Sequence, residues 1–255
     1  MNDLVILGNQ VRYEQKAYWR NPTAAFFSFA FPIMFLVIFA TINKGAQVQF
    51  GVQRMSYDDF FIPSILAFGV MSACYTNLAI GLVTRREAGI LKKLRGTPLP
   101  AWTLFGGLLG SALIIAAILT VVTGGAGRLL YGVTLPHHPV ALVVTILLGG
   151  AVFTALGVAV STLVPDAEAA PAVVNFPYFL LVFLSSIFFP APPGSIVARI
   201  GDVFPLAHFT SAARTAYLTV GGTGVNRGDL VNMTIWFLVA MVIALRRFRW
   251  EPHGR

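Results

Sequence analysis

Residues 140–164 read VALVVTILLGGAVFTALGVAVSTLV, a run without a single Asp, Glu, Lys, Arg or His. The hydrocarbon core of a bilayer is about 30 Å thick, and a helix needs roughly 20 apolar residues to cross it. This stretch is long enough and uncharged enough to do so. The same reading, carried outward, gives Ala24–Ile42, Asp59–Val83, Ala101–Gly124, Pro171–Phe189 and Leu230–Leu245. Six transmembrane helices are therefore expected, in an all-α membrane protein whose residues 1–255 form one transmembrane domain. Gly124, Gly125 and Gly127 blur the end of the third span, and Arg246 and Arg247 can snorkel outward from a short sixth one.

Composition agrees. Of the 255 residues 56% are hydrophobic and 11% charged, where a soluble domain carries about 25% charged residues. The formal net charge of +8 fits basic loops beside a membrane better than a nucleic-acid partner. Leu4 to Leu7 is too short for the apolar region of a signal peptide, so insertion is expected to begin with the first span. Cys74 lies within an apolar run and reads as a small packing residue.

With an even number of spans both termini share a side. That side holds Arg12, Lys16, Arg20, Arg85, Arg86, Lys92, Lys93, Arg95, Arg246, Arg247, Arg249 and Arg255, which is 12 of the 18 basic residues. The opposite side holds Lys44, Arg54, Arg128, Arg199, Arg214 and Arg227. Basic residues accumulate in cytoplasmic loops, so both termini are expected in the cytoplasm.

The spans contain almost no ionisable group. Ion-coupled transporters usually keep Asp, Glu, His or Arg near the midplane, and Asp166 and Glu168 fall in the turn between the fourth and fifth spans instead. The energy for any transport is expected to come from outside the chain. Polar residues inside the spans are Thr76, Asn77, Thr154, Ser161, Asn175, Ser185 and Ser186. Two uses are open for each: a hydrogen bond to a neighbouring helix, the commoner one, or lining a translocation path.

Outside the spans, residues 3–20 place Leu4, Leu7, Val11 and Tyr18 on one helical face and Arg12, Lys16 and Arg20 on another. With Trp19 beside Tyr18, residues 1–22 read as an interfacial amphipathic helix, broken at Asn21-Pro22. Between the second and third spans, residues 84–100 read TRREAGILKKLRGTPLP. Ile90, Leu91 and Leu94 fall on one side of a short helix and Lys92, Lys93 and Arg95 on the other, with Gly96 and Pro98 to end it. Such a helix suits either docking of a partner or contact with anionic lipid. Residues 190–229 are too apolar for a free loop and too interrupted by Pro, Gly and Arg to span, so short helices resting in or dipping into the outer leaflet are expected. Gly106 and Gly110 make a Gly-x-x-x-Gly, most simply a helix-packing site within the chain.

The run from Arg86 to Leu99 resembles the signature of ABC-2 type permeases, the membrane subunits of bacterial ABC exporters. Arg86-Glu87, Gly89, the apolar pair Ile90-Leu91, and Leu94-Arg95 followed by Thr97-Pro98-Leu99 each meet that pattern. Phe188-Phe189-Pro190 after the fifth span, with Pro205-Leu206 and Arg214 downstream, is similar as well. The resemblance implies that Arg86, Glu87, Gly89, Ile90, Leu91, Leu94, Arg95, Thr97 and Pro98 form a coupling helix against a separate ABC ATPase subunit. It also implies a second permease copy or paralogue, export across the bacterial cytoplasmic membrane, and ATP and Mg held by the partner, not by this chain. The class of cargo that the resemblance implies is a drug, lipid or polyketide, and the 21 Phe residues suit an amphipathic molecule.

No Gly-x-x-x-x-Gly-Lys-[Ser/Thr] occurs, since Gly96 is followed by Thr97. His137-His138 lacks a neighbouring carboxylate or Cys and is a weak metal candidate. Asn232-Met-Thr234 matches a glycosylation acceptor in form only, because it lies at a span. No catalytic constellation is readable. Two other classes stay open: an ion-coupled secondary transporter, and a membrane-embedded lipid-modifying enzyme built on Asp58, Asp59, Asp166 or Glu168.

Overall fold

The second long helix is the axis around which the rest is built. In the computed structural model, which describes residues 3–50, 53–97, 100–192, 194–248 and 250–251, it runs without interruption from Tyr57 to Glu87. Pro98, Leu99, Pro193, Arg249 and Arg255 lie outside the described residues. Its first part, α3 (Tyr57–Met71), buries nearly every side chain, because it is wrapped by neighbours and not exposed along one face. A π-helical stretch, Ser72–Thr76, follows, and then α4 (Asn77–Glu87). At the start, the Ser56 hydroxyl accepts from the Asp59 amide at 3.2 Å and donates to the Asp59 carboxylate at 2.6 Å. That reciprocal cap, with Asp58 and Asp59 in the first turn, suits the positive end of a helix.

Before it come α1 (Asp3–Trp19) and α2 (Pro22–Ile42). A hairpin of β1 (Gln47–Phe50) and β2 (Gln53–Ser56) follows, with Gln47 opposite Ser56 and Phe50 opposite Gln53. The sequence reading expected no strand here. The alternation of Gln47 and Gln49 with Val48 and Phe50 is a strand pattern, and Val48 packs onto the main core. After α4 come α5 (Ile90–Arg95), α6 (Ala101–Tyr131), α7 (Pro139–Ser161) and α8 (Ala170–Leu184). The last part comprises α9 (Ile196–Gly201), α10 (Pro205–Leu218) and α11 (Arg227–Arg247). Pro at the first helical position starts α2, α7 and α10, where its missing N–H costs nothing.

Among the described residues five helices are long and apolar enough to cross a membrane: 25–42, 57–87, 102–131, 139–161 and 227–247. The fifth expected run, Pro171–Phe189, is the exception: α8 has 15 residues. It stops because Ser185 leaves helical geometry and Ser186 takes a positive φ of 52°. The third span errs the other way. Gly124, Gly125 and Gly127 do not end α6, which continues to Tyr131; at Gly127 a Cβ would sit 2.3 Å from the Ile62 side chain, so the glycine admits α3.

The bundle has a basic end, where α4, α5, α7 and α11 finish, and a far end holding the hairpin, α9 and α10. The far end is not a loose loop. α10 buries Leu206, Phe209, Ala213, Arg214 and Tyr217 against α3, α7 and α11. The helices at the rim, α2 and α11, leave Phe26, Phe27, Phe31, Leu238 and Val242 exposed, as lipid-facing helices do.

Candidate functional site

The segment between α4 and α5 is built as a corner. Gly89 has φ +67°, the left-handed geometry that closes many helices and that a residue with a Cβ adopts only with strain. It ends α4 and lets α5 turn away. From that corner three consecutive charged residues go three ways. Arg85 reaches the Glu14 carboxylate on α1 at 2.8 Å. Arg86 turns inward, 3% exposed, and donates to the carbonyls of Ser161 (2.9 Å), Val164 and Pro165 (3.4 Å) at the end of α7. Glu87 stays exposed.

α5 is likewise divided. Leu91 is buried and Leu94 half-buried in a cluster with Leu82, Leu104, Val158 and Ala244. Lys92, Lys93, Arg95 and Thr97 are exposed, and so is Ile90, at 45%. Ile90 shares the helical side of Leu94, one turn before it, yet it stands outside that cluster. The Thr97 hydroxyl donates to the Leu94 carbonyl at 2.6 Å and finishes the turn. Pro98, the last member of the expected coupling set, lies outside the described residues.

α1 docks on α6 over small residues. Cβ atoms added at Gly106, Gly107 and Gly110 would come within 2.8, 2.3 and 2.8 Å of Leu7, Gln10 and Val11. The Gly-x-x-x-Gly is therefore a groove for α1 within the chain. The buried face of α1 is more polar than its pattern suggested. Glu14 lies in it, Gln15 donates to the Ser111 hydroxyl and carbonyl at 3.0 and 2.9 Å, and Leu4 points away, 78% exposed. Between α1, α4 and α6 lies a cavity of about 420 Å³, lined among others by Glu14, Tyr18, Asn77 and Arg85.

The polar span residues do not converge. Asn77 faces that cavity and donates to the Ser28 hydroxyl at 2.8 Å. Thr76 has a buried hydroxyl, and Asn175 is half-buried on α8. Thr154 lines an apolar groove of about 240 Å³ between α6, α7 and α11. Ser161 and Ser185 donate to their own helices, at Val158 and Leu181, at 2.7 and 2.6 Å. Ser186 belongs to an aromatic pocket of about 290 Å³ with Phe35, Phe39, Phe183 and Phe188.

The far end holds a second buried arginine. Arg214 donates to the Ser64 hydroxyl at 3.0 and 2.8 Å and to the Ser186 carbonyl, with its guanidinium carbon 3.8 Å from the centre of the Phe60 ring. Nearby, His208 has Nδ1 2.7 Å from the Asp229 carboxylate and Nε2 2.8 Å from the Asp202 carbonyl. Both partners are acceptors in their ordinary forms, an arrangement that a doubly protonated imidazole satisfies with its two N–H groups. The Asp229 hydrogen bond accordingly raises its pKa against the opposing effect of burial. His138 places Nε2 3.2 Å from the Gly221 carbonyl. Among the described residues no group of three His, Cys, Asp or Glu is placed to hold a metal. The Arg86 and His208 contacts escaped sequence reading, because each depends on a carbonyl or carboxylate far away in the chain.

The architecture is that of a multi-pass α-helical membrane protein, with a charged corner where its most buried helix leaves the bundle. A family model described as ABC-2 type transporter matches residues 10–218. The chain belongs to that family, and its role is that of an ABC permease, a membrane transport component that typically works with an ABC ATPase subunit. No curated protein matches the chain in a sequence search.

Proposed function

We propose that this chain is the transmembrane subunit of an ATP-driven exporter, crossing the membrane six times with both termini in the cytoplasm. The basic end is then the cytoplasmic one. The sixth crossing is α8 with the Ser185–Phe189 segment that completes its run, and α9 and α10 form the external re-entrant region. The observation that carries this reading is α5 itself. It is a short helix anchored by Leu91 and Leu94, offering Ile90, Lys92, Lys93 and Arg95 to a partner beyond the bundle.

The partner is an ATPase subunit that brings its own ATP and Mg, and a second permease, identical or paralogous, completes the pair. Nucleotide binding must favour one of two arrangements of the spans for coupling to exist. The corner at Gly89 is where that preference enters. Cargo is an amphipathic or lipid-like small molecule. The cavity at Asn77 and the aromatic pocket at Ser186 support this class, since the first sets a few polar groups in an apolar wall and the second is lined mainly by Phe.

The test is Leu94→Asp in the reconstituted complex. The variant is expected to insert and fold while transport is lost. Unchanged transport with unchanged co-purification of the ATPase would remove the corner from the mechanism.

A further inference from the structure

We infer that Arg86 is a positioning residue. It rivets the α4–α5 corner to the end of α7, so that α5 and the turn leading into α8 move as one body. The role of that body in coupling rests on the permease reading above; the rivet rests on geometry alone.

The last carbonyls of a helix have no partner within it and carry its negative partial charge. The Ser161 carbonyl in the last turn of α7 and, in the turn just beyond it, the carbonyls of Val164 and Pro165 converge on one guanidinium. Arginine suits this place because its planar fork offers several donors in fixed directions, whereas lysine offers a single point charge. Burying a cation is costly unless its hydrogen bonds are well made. Such an arrangement persists where it fixes a geometry.

Both sides of the joint are stiff. In the turn beyond α7, the Thr162 hydroxyl donates to the Ala159 carbonyl at 2.7 Å, and the Asp166 carboxylate accepts from the Ala169 amide at 2.7 Å. On the other side Leu91 of α5 packs in one cluster with Val158 and Ala159 of α7. Apolar packing alone permits sliding; the charged fork fixes the register. A displacement of α5 therefore reaches α7 and α8 directly, while Arg85 and Glu14 carry it to α1.

The experiment measures distance, not activity. Lys93 and Glu168 are exposed on the two sides of the joint, and the one native cysteine, Cys74, is buried. Cysteines at 93 and 168 are spin-labelled in the full chain in lipid nanodiscs, alone and with the ATPase subunit under nucleotide-free and nucleotide-trapped conditions. With Arg86 present, one narrow distance distribution is expected, unchanged by nucleotide. With Arg86→Gln the distribution is expected to widen at least twofold, and with Arg86→Lys to fall between the two. An Arg86→Gln distribution as narrow as the parent's overturns the rivet, and so does a parent distance that shifts with nucleotide. If Arg86→Gln fails to insert, the Arg86→Lys width decides by the same criterion. If no ATPase binds the parent, the permease reading fails, while the widths measured on the chain alone still judge the rivet.

Discussion

Among the described residues two arginines are buried in this bundle, one at each end, and their surroundings differ in kind. Arg86 is held by backbone carbonyls at the end of α7 and stands next to an exposed, basic helix. Arg214 is held by the Ser64 hydroxyl, the Ser186 carbonyl and the face of Phe60, beneath a layer of aromatic rings. Phe39, Tyr57, Phe61, Phe188 and Phe189 stack or tilt against one another there. Arg86 joins the α4–α5 corner to the end of α7 beside an exposed helix, whereas Arg214 ties α10 to α3 and to the segment after α8 inside the core. The first arrangement suits transmission of a force, and the second suits closure of an end.

The largest effect expected from this contrast is on stability. Arg214→Leu removes the shared donor of three elements and strands the Ser186 carbonyl, a loss of about 3 kcal/mol by analogy with other buried networks. Thermal unfolding in nanodiscs should show a lower melting temperature for Arg214→Leu than for Arg86→Gln. The reverse order would break the comparison.

The next effect is on partnership. Ile90 is exposed and outside the apolar cluster, so Ile90→Asp should leave folding unchanged and reduce co-purified ATPase roughly tenfold, about 1.4 kcal/mol of binding. Full retention of the ATPase would move the docking surface off α5. More local is the effect of Gly107→Leu, which needs the space held by Gln10. Overpacking of this kind costs typically 1–3 kcal/mol, here met by lifting α1 off α6. Faster proteolysis within α1, with the bundle intact, is the expected result.

The smallest effect is a pH dependence at the far end. The His208 pKa is raised by its Asp229 hydrogen bond, so the contact contributes fully below the ordinary histidine value near 6.5 and is lost as pH rises through the raised one. Hydrogen exchange in α10 should quicken on that alkaline side, and Asp229→Asn should abolish the change. Acceleration on the acid side instead would contradict a raised His208 pKa.

Much of the fold was legible because membrane spans announce themselves by uncharged length: Val140–Val164 became α7 at Pro139–Ser161 with small shifts at both ends. At the corner the short helix with Leu91 and Leu94 on one side was legible, whereas Gly89 stood out only as part of the resemblance, since a left-handed turn leaves no mark in sequence beyond a glycine. What stayed hidden was direction. Arg85 and Arg86 look alike in sequence, yet one faces Glu14 and the other a helix end that is 75 residues away. The shortness of α8 was hidden for a similar reason, since nothing in Leu184-Ser185-Ser186-Ile187 predicts that the Ser186 carbonyl bonds an arginine of α10. The hairpin at 47–56 carries an alternating pattern, but over too few residues to stand out beside runs of twenty.

The central claim is that an ATPase docks on α5 at the basic end. Site-specific cross-linking from position 93, with position 220 at the far end as control, tests it most directly. Lys93 is exposed on α5, and Val220 is 78% exposed beyond α10. In inverted membrane vesicles supplied with the ATPase, the account predicts a cross-link from 93 and none from 220. A cross-link from 220, or none from 93 when the ATPase is bound, would contradict it.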